Sequence, residues 1–179
     1  MSSAPLPFDP FTLLGLPRRY DLHRRAIEAA HLRRLAVLHP DRVADPLRQA
    51  QAQQESAALN DARTILLDAE RRADALLALL GGPAREADRS LPEGYLMEVM
   101  ALRERLERGQ SGEAPEIMQA IEEEVRDRRA RHRAEASRLF DIALGAEDPA
   151  GQNPAVLRRI RLELNAWRYI ERLRGALRE

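Results

Sequence analysis

Three of the chain's four Asx-Pro pairs stand ahead of helical runs: Asp9-Pro10, Asp45-Pro46 and Asn153-Pro154. An Asp or Asn side chain accepts from the free N–H groups at a helix start, and proline, with its fixed φ and missing N–H, suits the first helical position. Each of these three therefore predicts a helix that begins at its proline. The first is short, PFTLLGL, and is stopped by Gly15 and Pro17. The next is expected from about Leu22, with Asp21 as its cap, to Leu38, because Pro40 disfavours helical geometry at His39. From Pro46 helical spacing continues to Leu80, with a break near Asp68, until Gly81-Gly82-Pro83 ends it. Further helices are expected over 93–108, over 115–144 and from Pro154 onward, separated by the loops GQSGEA and GAEDPAGQN.

Nothing in the sequence competes with helix. Runs of Val, Ile, Thr and aromatics are absent, aromatics make up only 4% of the chain, and Ala, Leu, Arg and Glu dominate; these last lose little rotamer freedom in a helix. The predicted fold class is all-α: an N-terminal helical hairpin module over 1–82, a linker over 83–92, and a C-terminal three-helix bundle over 93–179. There is no cysteine, which excludes disulfides, thiolate zinc sites, cysteine nucleophiles and iron–sulfur ligation by the chain's own thiols. The opening MSSAPLPFDP lacks the basic and apolar regions of a secretion signal, and no apolar run is long enough to span a bilayer. The expectation is a cytoplasmic protein without membrane contact. All 29 basic residues are Arg and 29 acidic residues balance them, so the field that draws a protein to nucleic acid is missing. Even EEEVRDRRARHRAE reads as a solvated helix face laced with i,i+4 pairs. Locally the balance tips: Arg18 to Arg42 carries seven Arg against Asp21, Glu28 and Asp41.

Within that basic stretch His39-Pro40-Asp41 closes a helical run. Read by itself it is a helix stop with a polar turn. A His oriented by a nearby Asp also suits a hydrolytic site, but a triad needs a nucleophile that the sequence does not place. A metal site is not expected: His23, His31 and His39 stand eight apart, roughly 12 Å per step along a helix. The third reading is a contact surface, since binding residues concentrate in turns carried on rigid elements.

A second constellation is YLMEVMALRERLERG. At about 100° per residue, Tyr95, Val99, Leu102 and Leu106 fall on one side, the expected core stripe. Leu96, Met97, Met100 and Glu104 form a second face roughly opposite, and a surface helix needs only one apolar stripe. That second face is either packed against a further helix or against the N-terminal module, or it receives a partner.

The hairpin, its HPD turn, and LNDARTILLDAERRADALL in the following helix resemble a J-domain, the co-chaperone module of DnaK/HscA-class chaperones. FTLLGLPRRYDL at the start and GYLMEVMALRERLE after the linker are similar to the HscB family, J-type co-chaperones of iron–sulfur cluster assembly, and the likeness covers nearly the whole chain. The resemblance implies a non-enzymatic protein with no cofactor. It implies that Arg33, Arg34, His39, Pro40, Asp41 and Arg42 dock on an HscA/DnaK-class ATPase and stimulate it. It also implies that Leu96, Met97, Met100, Glu104 and Tyr169 hold an IscU-type scaffold protein. The chain departs from the family pattern at Leu38, where an aromatic is common, at Arg42 in place of Lys, and at Ala101 and Arg108, where the family tends to be acidic. A J-protein with another client and a small helical hydrolase using His39 and Asp41 are the rival readings.

Overall fold

The computed structural model describes residues 8–37, 46–112, 114–145 and 153–178. These form α1 (Pro10–Leu14), α2 (Arg24–Val37), α3 (Pro46–Leu67), α4 (Ala69–Leu79), α5 (Tyr95–Gln110), a 3-10 turn (Pro115–Ile117), α6 (Met118–Leu144) and α7 (Pro154–Ala176), with no strand among the described residues. The all-α expectation holds. The chain divides into two compact units, Met1–Leu79 and Leu80–Glu179.

In the first unit Asp9 caps α1 as its pairing with Pro10 predicts: its Oδ1 accepts from Phe11 N at 2.9 Å and Thr12 N at 3.3 Å. Burial pushes the Asp9 carboxyl up, but bonds from Thr12 and Arg18 outweigh it and hold the group below the usual carboxylate range. The expected start of the next helix needs correction. It begins at Arg24 rather than Leu22, with the His23 carbonyl receiving the first N–H groups, and Asp21 is not its cap. The reason lies upstream. Tyr20 is 5% exposed, Arg72 Nε donates to its carbonyl at 2.8 Å, and tight turns hold residues 17–22, so the chain seats Tyr20 before it coils. At Asp68 the expected break is present: its Oδ1 accepts from Glu70 N and Arg71 N at 2.9 Å and starts α4. The Asp45 cap and the end of the second helix at Leu38 lie outside the described residues.

Cross-links fix the pairing of α2 and α3. His31 Nε2 lies 2.9 Å from Asn60 Oδ1, and Arg63 grips Glu28 through both carboxylate oxygens at 2.6 and 2.8 Å. As the numbers rise on one helix they fall on the other, so the pair is antiparallel. Phe11, Ile27, Ala30, Leu66, Leu76 and Leu77 fill the core between α1, α2, α3 and α4.

The second unit is an up-down-up arrangement of α5, α6 and α7. Arg105–Glu124 and Glu98–Arg128 run antiparallel between α5 and α6; Arg129–Glu171 and His132–Glu163 do the same between α6 and α7. α5 starts at Tyr95 and ends at Gln110, two residues later at each end than expected, and the helix expected from Pro115 opens as a 3-10 turn before α6 proper. At α7, Asn153 caps as predicted, accepting from Ala155 N at 3.0 Å. Tyr95, Val99, Leu102, Leu106, Ile121, Val125, Ala166 and Ile170 make one core cluster. Trp167, the single tryptophan, is 1% exposed and donates its indole N–H to Glu171 at 2.8 Å.

Composition marks residues 83–92 as a linker, and they carry no helix. Two nearly buried side chains of α7 nevertheless fasten this stretch. Arg161 Nε donates to the Pro83 carbonyl at 2.9 Å, and Asn165 Nδ2 donates to the carbonyls of Asp88 and Ser90 at 3.0 Å.

Candidate functional site

Each side of α5 has a different job, and the 3.6-residue period assigns them. The side formed by Tyr95, Val99, Leu102 and Leu106 is buried, each residue at 7% exposure or less. The side carrying Glu98 and Arg105 faces α6 through an ion network: Arg105 bonds Glu124 at 2.8 Å, and Arg128 bridges Glu124 and Glu98 at 2.9 Å. Burial pushes the Glu124 carboxyl up, but bonds from Arg105 and Arg128 prevail and hold it below its ordinary range.

The remaining side is open. Leu96 is 48% exposed, Met97 72% and Met100 57%, and Glu104 is exposed beside them. Burying a Leu or Met side chain gains roughly 1.5–3 kcal/mol, so three exposed on one helix side forgo a substantial gain. Met has three rotatable bonds and a polarisable sulfur, which suits a surface that must adapt to what covers it.

Tyr169 sits on α7, half-buried, with the Arg172 guanidinium 5.2 Å above its ring. It lines a groove of about 350 Å³ between α5 and α7, together with Val99, Leu106, Leu173 and Arg103. The groove draws on Arg103 and Glu107 rather than on Met97 or Met100. The four α5 residues singled out by sequence thus share one open side, and Tyr169 lies on the neighbouring helix. Arg103, Glu107 and Arg172 were not singled out. For Arg103 and Glu107 the signal is the i, i+4, i+7, i+11 spacing Leu96, Met100, Arg103, Glu107, which the apolar pattern masks; Arg172, on α7, has no such local signal.

In the first unit Arg33 and Arg34 are exposed on the last turns of α2, with no ion-pair partner among the described residues. Leu32 and Val37 are exposed beside them at 64% and 82%. Arg34 lies against the α1 terminus, where Gly15 has φ 66°, and a Cβ built there meets Arg34 Nη2 at 3.1 Å. His39, Pro40, Asp41 and Arg42 lie outside the described residues. His31 is 7% exposed and committed to Asn60, a structural histidine. Among the described residues no group of His, Asp and Glu is placed to hold a metal ion, and no helix is long and apolar enough to cross a membrane.

Comparison with known proteins gives a consistent set of relatives. Residues 92–178 match the family model described as the HSCB C-terminal oligomerisation domain. The co-chaperone protein HscB homolog of Mannheimia succiniciproducens is 36% identical over 103 residues, 55% of this chain and 60% of that protein. The HscB homolog of Bordetella petrii is 32% identical over 136 residues, 74% of this chain and 79% of that protein. Among solved structures, chaperone HscB from Vibrio cholerae superposes with a TM-score of 0.76 at 22% identity, covering 96% of both chains, a likeness of fold.

Proposed function

The chain belongs to the HscB family of co-chaperones, and on that premise we propose that it docks on an HscA/DnaK-class ATPase and delivers an IscU-type iron–sulfur scaffold protein to it. The bond-breaking chemistry belongs to the chaperone; this chain supplies contacts. The chaperone-facing residues are Arg33 and Arg34 on α2 together with His39, Pro40, Asp41 and Arg42. Free guanidinium groups steer association with an acidic partner surface, and the Asp41 carboxylate can accept a charge-assisted bond from a partner Arg. The scaffold-facing surface is Leu96, Met97, Met100 and Glu104 on α5, with Tyr169 on α7. The observation that carries the reading is the open apolar side of α5, three large side chains left in water on a helix whose other sides are already satisfied. We assign the protein to the cytoplasm, where such chaperones work on soluble clients.

The test is chaperone ATPase turnover with and without this protein and the scaffold. Stimulation is expected from the parent, and His39→Gln or Asp41→Asn should abolish it while leaving the melting temperature nearly unchanged. A variant that stimulates at the parent level overturns the chaperone contact. Stimulation without scaffold binding leaves a J-protein with a different client.

A further inference from the structure

The α5–α7 groove continues the open side of α5. Leu96, Met100, Arg103, Glu107 and Gln110 fall at i, i+4, i+7, i+11 and i+14, one stripe along the helix. Its first two members are the exposed apolar residues, and its last three line the groove. Gln110 Nε2 donates to the Ala176 carbonyl at 2.8 Å and ties the two helices together at the far end. The surface is therefore a ridge that descends into a short cleft with a defined end, and the cleft walls include the apolar side chains of Val99, Leu106 and Leu173.

The charges in the cleft do not cancel. Arg103 is paired with Glu107 at 2.8 Å. Arg172, exposed and stacked over Tyr169, makes no ion pair among the described residues. An apolar cleft with one unanswered guanidinium at its rim is complementary to an apolar side chain that has a carboxylate beside it. Lodging it there desolvates the Arg172 charge only where a counter-charge meets it, and the guanidinium fork matches a carboxylate in geometry.

We propose that this cleft is a second anchoring subsite for the client, taking a client segment in which a large apolar residue stands next to an Asp or Glu, with Arg172 reading the carboxylate and Tyr169 the apolar side chain. This rests on the proposed function and adds a charge preference to it: the client edge that reaches α7 is acidic.

The full chain is titrated calorimetrically with the IscU-type scaffold at low and at moderate salt, beside Arg172→Glu, Arg172→Lys and the triple change of Leu96, Met97 and Met100 to Ala. Arg172→Glu should weaken binding about tenfold or more at low salt, and Arg172→Lys, which keeps the charge but loses the fork, should weaken it less than Arg172→Glu. The salt dependence of the parent should shrink in Arg172→Glu. Because Arg172 is exposed, its melting curve should match the parent's. Parent affinity in Arg172→Glu combined with weakened binding in the triple variant overturns the subsite and leaves the proposed function standing. Unchanged binding in both, or none in the parent, overturns both. A self-association of the chain that Arg172→Glu abolishes without touching scaffold affinity makes a second copy the occupant, and overturns the proposal.

Discussion

The hydroxyl of Tyr95 joins the three helices of the second unit at one point. It donates to the Ala166 carbonyl on α7 at 2.9 Å and lies 2.9 Å from His132 Nε2 on α6, whose other ring nitrogen is 2.6 Å from Glu163. Tyr95→Phe keeps the ring and removes these bonds, so denaturant unfolding should show a loss of about 1 kcal/mol. In a His132→Ala background the same change should cost less, because the two groups act as a unit. Burial pushes the Tyr95 phenol well above its ordinary range. A raised value in the folded state means that unfolded chains lose the proton first as pH rises. The stability this group contributes is complete below about pH 10 and declines above it. The parent should therefore lose stability more steeply at alkaline pH than Tyr95→Phe, and parallel alkaline limbs would remove the phenol from the account. At Gly15, where φ is 66° and Arg34 crowds the missing Cβ, replacement by Ala should cost about 1 kcal/mol or more.

α5 lets stability and binding be separated on one helix. Cutting Leu96, Met97 and Met100 together to Ala should change stability by about 0.5 kcal/mol or less per site, since all three are exposed, and should cost scaffold affinity about 1 kcal/mol or more each. Leu102→Ala, at 2% exposure, should instead cost about 2–5 kcal/mol of stability. Chemical denaturation and scaffold titration on both variants check the contrast. Glu124 supplies a pH test. Its carboxyl is held below the ordinary range, so the stability it contributes is present above the unfolded value and is lost as pH falls through the lower folded value. Glu124→Gln should flatten the acid limb of unfolding. How much of this the sequence reveals depends on how local the cause is. The caps at Asp9, Asp68 and Asn153 act within three residues, so each is legible from its neighbours. The second apolar side of α5 is legible because a helix's angular period is local too, but that it lies open is not, since packing depends on distant helices. The start of α2 is not, because it is set by Tyr20 meeting Arg72 across 52 residues. Nor is the groove at Tyr169, which exists only once α7 lies beside α5.

For the whole molecule, the boundary between the two units has an energetic meaning. Asn165 is 6% exposed and spends its amide on the carbonyls of Asp88 and Ser90, while Arg161, 3% exposed, holds Pro83. A fragment starting at Leu80 should keep these bonds and fold cooperatively. One starting at Tyr95 leaves nearly buried donors short of acceptors, at about 1–3 kcal/mol for each, and should melt lower; equal midpoints would show that the strap contributes nothing. The composition of 81–92 hides this, since Gly81, Gly82, Pro83 and Pro92 advertise a turn but not the carbonyls that a distant helix will claim. The placement of Trp167 has a practical corollary. It is the only indole in the chain, and it lies in the core of the second unit. Tryptophan emission is therefore a private reporter of that unit, blind to α1–α4, while circular dichroism sums both. If the two signals are followed through the same denaturation, the gap between their midpoints measures how far the two units unfold independently.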